Sequence, residues 1–140
     1  MTLKCTGVCN AWTNQNITLN LSGGKDQGTV QSGFNRYEYS YNQSTWYSDW
    51  TTGGVSSTLG HWSGERNATV YLRVVDNVGN ASTVSSTTTK IMIDRTAPTG
   101  GSITCDPVCG SWTNQTVKVR VSGSTDPTSN GVSSGIKEYR

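Results

Sequence analysis

Apolar and polar residues alternate with a period of two along much of the chain: Ile17, Leu19 and Leu21; Tyr37, Tyr39 and Tyr41; Val70, Leu72 and Val74; Ile91 and Ile93. Residues two apart share one face of a strand, so each run predicts a half-buried β-strand, and the Gly, Asn, Ser and Asp residues between runs supply turns. No window carries the spacing of an amphipathic helix. Several short strands within about one hundred residues predict an all-β sandwich. Its core is expected from Ile17, Leu19, Leu21, Tyr37, Tyr39, Val70, Leu72, Val74, Ile91 and Ile93, the inward members of the runs. The stretch Val70–Ile93 reads as a hairpin turning at Asp76-Asn77-Val78-Gly79-Asn80, where Asn and Gly tolerate positive φ.

The pattern is also duplicated. Cys5-Thr6-Gly7-Val8-Cys9-Asn10-Ala11-Trp12-Thr13-Asn14-Gln15 returns one hundred residues later as Cys105-Asp106-Pro107-Val108-Cys109-Gly110-Ser111-Trp112-Thr113-Asn114-Gln115. Ile17, Leu19 and Leu21 then correspond to Val117, Val119 and Val121. After a shift of two residues, Ser32-Gly33-Phe34 and Tyr37 correspond to Ser134-Gly135-Ile136 and Tyr139. So long a period duplicates a whole domain. Residues 1–98 are expected to form repeat one, ending in a linker at 94–98 where Pro98 cannot donate a ladder hydrogen bond. Residues 99–140 are expected to hold the opening strands of repeat two. Both ends read as cuts in a longer protein, and self-association through the incomplete second repeat is one expected consequence.

Composition narrows the classes of function. The apolar fraction is 32%, the charged fraction 14% and the net charge +2. Lys and Arg do not cluster, which argues against nucleic acid as a partner. No apolar run reaches the length of a membrane span, and no apolar segment follows Met1-Thr2-Leu3-Lys4 as it would in a secretory signal. Asn-x-Ser/Thr sequons start at Asn16, Asn20, Asn42, Asn67, Asn80 and Asn114, and a chain this rich in Asn, Ser and Thr contains such triplets by composition alone.

Val74-Val75-Asp76-Asn77-Val78-Gly79-Asn80, followed by Asp94-Arg95-Thr96-Ala97-Pro98, resembles the closing strands and linker of bacterial immunoglobulin-like repeats of large cell-surface and secreted proteins. Trp12-Thr13-Asn14-Gln15, the Ser32-Gly33-Phe34 entry to a Tyr-rich strand and Gln43-Ser44-Thr45-Trp46 fit the same pattern. The resemblance implies an immunoglobulin-like sandwich of about seven strands in a fibrous extracellular or surface protein, with roles in spacing, adhesion or display. Its expected partners are neighbouring repeats, and a host or matrix glycan or protein. The paired cysteines depart from the commoner pattern.

Those cysteines form two C-x-x-x-C motifs and admit three connectivities. Cys5 with Cys9 and Cys105 with Cys109 makes each repeat self-contained, and implies an oxidising compartment; a zinc site gathering all four thiolates is the competing reading. Trp46, Tyr47, Trp50 and Trp62 form an aromatic segment that serves either as a flat platform for a sugar ring or as core and edge packing. Asp76, Asp94 and Asp126 are the hard oxygen ligands available to a calcium ion near repeat ends, although no D-x-D-x-D run is present; no other cofactor is expected. Lys4 near the start with Asn residues late in the repeat permits, on paper, a Lys–Asn isopeptide crosslink, with Glu38 as the candidate for the buried carboxylate it needs. His61, the single histidine, falls in the Gly-rich Gly60-His61-Trp62-Ser63-Gly64, expected to be an exposed loop. With no phosphate loop, nucleophile elbow or paired carboxylates, the expectation is a non-catalytic module. The alternatives are a carbohydrate-binding module using Trp46 to Trp62, or the subunit of a fibre assembled by strand exchange.

Overall fold

The computed structural model describes residues 1–49, 57–82 and 88–140. Trp50, and residues 83–87 of the expected return strand, lie outside the described residues. Met1–Arg95 and Thr96–Arg140 form two compact units, and among the described residues every regular element is a strand.

In unit one, β1 (Thr2–Thr6), β2 (Ile17–Ser22) and β5 (Ser57–Trp62) form an antiparallel sheet in the order β1-β2-β5, while β3 (Phe34–Ser40), β4 (Tyr47–Asp49), β6 (Arg66–Asp76) and β7 (Thr89–Ile93) form a second in the order β4-β3-β6-β7. Ile17, Leu19, Leu21 and Trp62 of the first sheet meet Tyr37, Val70, Leu72, Ile91 and Ile93 of the second in one buried cluster. The two sheets therefore share a core, as in a sandwich. Each buried aliphatic side chain contributes about 1.5–3 kcal/mol.

The core departs from the expected list at several positions. Tyr39 and Val74 pack against the cluster but are only half-buried; Val74 lines an open groove at one end of the unit. A register shift between Phe34 and Arg36 bulges β3, so that Val75 pairs with Arg36. Val75 is buried at the point where the chain folds back and Ala81 bridges to it. Trp62 is 6% exposed and belongs to the core. Finally, Gly60-His61-Trp62 is the end of strand β5 rather than a loop, pairing with Leu19, Thr18 and Ile17.

The expected turn forms. Asp76 to Asn80 turns tightly, and Ser82 donates its amide to the Val74 carbonyl at 2.8 Å. Among the described residues the β6–β7 ladder runs from Arg66 opposite Ile93 to Val70 opposite Thr89.

The chain switches sheets just after the first cysteine motif. β1 pairs antiparallel with β2, whereas Thr13 bridges Ile93 of the other sheet in parallel sense. The Thr13 amide donates to Met92, the Asp94 amide donates to Thr13, and the Asn10 amide donates to Lys90, all at 3.0–3.1 Å. Asn10 adopts a positive φ of 63° and its side-chain oxygen accepts the Lys90 amide at 2.8 Å. A Cys5–Cys9 disulfide spans the crossing.

In unit two, β8 (Ser102–Asp106) and β9 (Lys118–Ser122) form a two-stranded antiparallel sheet. Every residue pair in it is a β1–β2 pair plus one hundred: Leu3 opposite Leu21 becomes Ile103 opposite Val121, and Cys5 opposite Leu19 becomes Cys105 opposite Val119. Cys105 is joined to Cys109. A two-residue turn at Asn130-Gly131, both with positive φ as such hairpin turns require, closes a bridge between Ser129 and Val132.

Candidate functional site

Among the described residues the aromatic segment does not assemble into one surface. Trp46 lies just ahead of β4 and Tyr47 is its first residue, and their contacts place them on opposite sides of the second sheet. Tyr47, 45% exposed, stacks on Tyr39 with ring centroids 5.2 Å apart. Tyr39 meets Tyr41 and Trp62 edge-on, and the Trp62 indole donates to the Tyr41 hydroxyl at 2.8 Å. The Arg66 guanidinium lies over the Tyr41 ring. These residues continue the core to its rim, where the two Tyr and Trp polar tips reach each other instead of remaining unpaired. Of the four residues proposed for a platform, Trp62 is inside, Tyr47 is at the rim, Trp46 is on the other side of the sheet, and Trp50 is outside the described residues.

Trp46 belongs to a charged cluster on the outer face of the second sheet. Glu38 sits directly across the ladder from Arg73 and two residues from Arg36. Arg36 contacts one carboxylate oxygen through Nε at 2.8 Å and Nη2 at 2.7 Å; Arg73 contacts the other through Nε at 2.7 Å and Nη2 at 2.6 Å. Trp46 covers Arg73, whose guanidinium carbon is 4.0 Å from the ring centroid. The carboxylate, 5% exposed as a residue, is thus paired and hydrogen-bonded on both oxygens, the condition for a buried charge to be tolerated. One ring face of Trp46 is already used by this contact. Lys4, by contrast, is exposed on β1 of the first sheet, so the carboxylate that an isopeptide crosslink requires is engaged elsewhere.

At one end of unit one, an open groove of about 710 Å³ is lined by residues including Lys25, Asp26, Phe34, Val74 and Asp76. Two carboxylates organise its walls. Asp26 accepts the Gly33 amide at 2.9 Å and the Ser32 hydroxyl at 3.3 Å. Asp76 accepts the amides of Val78 and Asn80 on one oxygen and the Asn80 side chain on the other, at 2.7–3.0 Å. Burial raises the Asp76 pKa, and the hydrogen bonds from Asn80, Ser32 and Val78 together outweigh it, leaving the carboxyl below its ordinary value of 3.8. The Asn77 side chain donates to the Ser32 carbonyl at 2.7 Å, tying the two loops together.

The Asp26 arrangement recurs in unit two. Asp126 accepts the Gly135 amide at 2.5 Å and the Ser133 and Ser134 hydroxyls at 2.9 and 3.5 Å. The sequence carries the signal, an Asp ahead of Ser-Gly in both copies. Asp76 and Asp126 are thus occupied in bracing their own loops, and Asp94 is buried at 8% exposure with its amide bound to Thr13. Among the described residues no group of three His, Cys, Asp or Glu side chains gathers as a metal site.

The four cysteines are paired within their motifs, with Cα separations of 6.3 and 5.1 Å, in the range a disulfide needs, and no thiol is free. This replaces the zinc reading. His61 is exposed, its Nδ1 2.9 Å from the Thr18 hydroxyl. No family model matches the chain, and no curated protein and no solved structure matches it either. Among the described residues no helix is long and apolar enough to cross a membrane.

Proposed function

We propose that the chain is a stretch of a non-catalytic extracellular protein built from tandem immunoglobulin-like repeats, acting as a spacer or adhesion module at a bacterial surface. The observation that carries this reading is the residue-by-residue offset of one hundred between the β1–β2 and β8–β9 ladders, each closed by its own short disulfide. A unit repeated with its staple and its loop brace serves to build length, since each copy brings what its own opening hairpin needs. The strand orders β1-β2-β5 and β4-β3-β6-β7 support the immunoglobulin-like assignment: relative to a four-plus-three immunoglobulin sandwich, the fourth strand joins the other sheet. The parallel pairing of Thr13 with β7 after the first strand changes sheets is compatible with the same plan. Disulfides persist in oxidising compartments, which supports the location.

The polar clusters fit a module without turnover. Glu38, Asp26, Asp76 and Asp126 are all spent on holding strands and loops. The test is localisation in the producing cells: protease shaving of intact cells is expected to release this segment, with all four cysteines blocked to alkylation before reduction. A chain protected from external protease, or carrying free thiols in the cell, would overturn the reading. In the same preparation, no hydrolysis of peptide, ester or glycoside substrates is expected.

A further inference from the structure

The Cys5–Cys9 bridge joins two hydrogen-bonded ladders that lie in different sheets. Ahead of it, β1 pairs with β2 from Thr2 opposite Ser22 to Thr6 opposite Thr18. Behind it, residues 10–13 lie along β7: the amides of Asn10 and Thr13 donate to the carbonyls of Lys90 and Met92, the Asp94 amide donates to Thr13, and the Lys90 amide donates to the Asn10 side chain. Just past β7, Arg95 donates to the Asn16 side chain.

Tension between the two ends of unit one, Met1 and Arg95, reaches both ladders. The pairing of Thr13 with Ile93 is parallel. Residues 10–13 are pulled from their first residue and β7 from its last, so the two slide along each other in opposite directions and every bond between them is strained at once. A pull from Thr2 likewise draws β1 lengthwise along β2. Whether the ladders bear the pull in turn or together depends on the slack between them. Four residues drawn out from Cys5 to Cys9 reach about 13–14 Å, whereas the bridge holds the two Cα atoms 6.3 Å apart. Without the bridge, β1 slides by about 7 Å before Asn10 feels the pull. A hydrogen bond is lost after a movement of under about 1 Å, once donor and acceptor pass roughly 3.5 Å, so the first ladder breaks alone.

From this geometry, and resting on the spacer reading above, we infer that unit one is a tension-bearing tether in which the Cys5–Cys9 bridge makes the β1–β2 ladder of one sheet and the ladder of residues 10–13 with β7 in the other bear a pull at the same moment. Both cysteines pack against the core cluster, so the bridge is anchored at the sheets it couples. Asn10, the first residue after the bridge, adopts the positive φ of 63° and gives its side-chain oxygen to the Lys90 amide, so the second ladder takes up load without an intervening loop. Closing so short a loop removes little chain entropy compared with a long one. The position of the bridge between two ladders is what the mechanical role explains.

Single-molecule pulling on the full chain tests the inference, with handles attached at Met1 and at the exposed Ala97 so that the load passes through unit one. The oxidised chain is expected to give one rupture event. After reduction by a dithiol, or in the double variant Cys5→Ala, Cys9→Ala, that event is expected to split into two, each at a lower force, the first releasing at most about 29 Å as residues 2–9 are drawn out. Asn10→Gly keeps the positive φ and loses the side-chain bond; in the reduced chain it is expected to lower the second event and leave the first unchanged. With the first handle moved from Met1 to the exposed Gln31, off the path through β1, reduction is expected to leave the number of events as it was. A single event at lower force after reduction overturns the inference, because the bridge then adds stability without coupling the ladders. Two events in the oxidised chain, a second event indifferent to Asn10→Gly, or the same splitting with the handle at Gln31 overturn it too. These traces are read on purified protein and are independent of the protease-shaving result, so failure of one is separable from failure of the other.

Discussion

Gly60 and Trp62 share one face of β5, and the indole of Trp62 occupies the space a side chain at 60 would need, 2.4 Å from the position of its Cβ. A buried Trp normally needs a gap of its own size in the facing sheet. Here the gap is made within its own strand by the absence of a side chain two residues earlier, and the indole N–H reaches out to Tyr41.

Gly60→Ala is therefore expected to destabilise unit one by about 1–3 kcal/mol, the cost of overpacking a filled core. Gly64→Ala meets nothing within 4 Å and is expected to change stability by less than about 0.5 kcal/mol, as surface substitutions do. Urea denaturation followed by Trp fluorescence compares the two. Equal effects would mean that the Trp62 ring does not lie over residue 60.

Leu72 is fully buried between the sheets, and Leu72→Ala is expected to cost about 2–5 kcal/mol as a large-to-small change in a packed core. The same denaturation experiment measures it. A loss near zero would place Leu72 on a solvated face and invalidate the β6 register.

How much of this was legible in the sequence depends on how a strand advertises itself. Ile17-Leu19-Leu21 and Val70-Leu72 alternate cleanly, so both the strands and their inward faces followed from a period of two. Ser57–Trp62 was hidden because its inward positions include a glycine, whose function is to be empty, and the Gly-rich run around His61 imitates a loop. Val75 is buried although it alternates with Leu72, at the point where Ala81 bridges back to it, and that return contact is a property of the folded chain and not of β6 alone. The Glu38 cluster was invisible for the same reason: its partner Arg73 is 35 positions away, and only strand pairing brings the two together. The aromatic segment misled in the opposite direction, since Trp46 and Tyr47, adjacent in sequence, lie on opposite sides of the sheet.

The Cys5–Cys9 bridge is expected to stabilise locally. Closing a loop this short removes about 2 kcal/mol of unfolded-chain entropy, and the bridge holds the point where the chain passes from β1 to the β7 edge. In the double variant Cys5→Ala, Cys9→Ala, the amides of Asn10 and Thr13, which bond Lys90 and Met92, are expected to lose exchange protection while the amides of β6 keep theirs. Uniform loss of protection across unit one would show instead that the bridge acts on the whole fold.

Asp76 gives the acid limb of stability its direction. Its carboxyl titrates below the ordinary value of 3.8 in the folded chain, because the hydrogen bonds from Asn80, Ser32 and Val78 outweigh the effect of burial. At a pH above that value both states are ionised and the turn's hydrogen bonds contribute in full. As pH falls below it, the unfolded chain takes up the proton first, so the unfolded state binds more protons and stability declines until the folded carboxyl protonates as well. Asp76→Asn removes the titration and keeps the size of the side chain. The variant is expected to be less stable than the parent at pH 6 and to lose less stability between about pH 5 and pH 2. Denaturation midpoints at a series of pH values check both parts: a variant whose acid limb parallels the parent's would show that Asp76 is not among the carboxylates that drive acid unfolding.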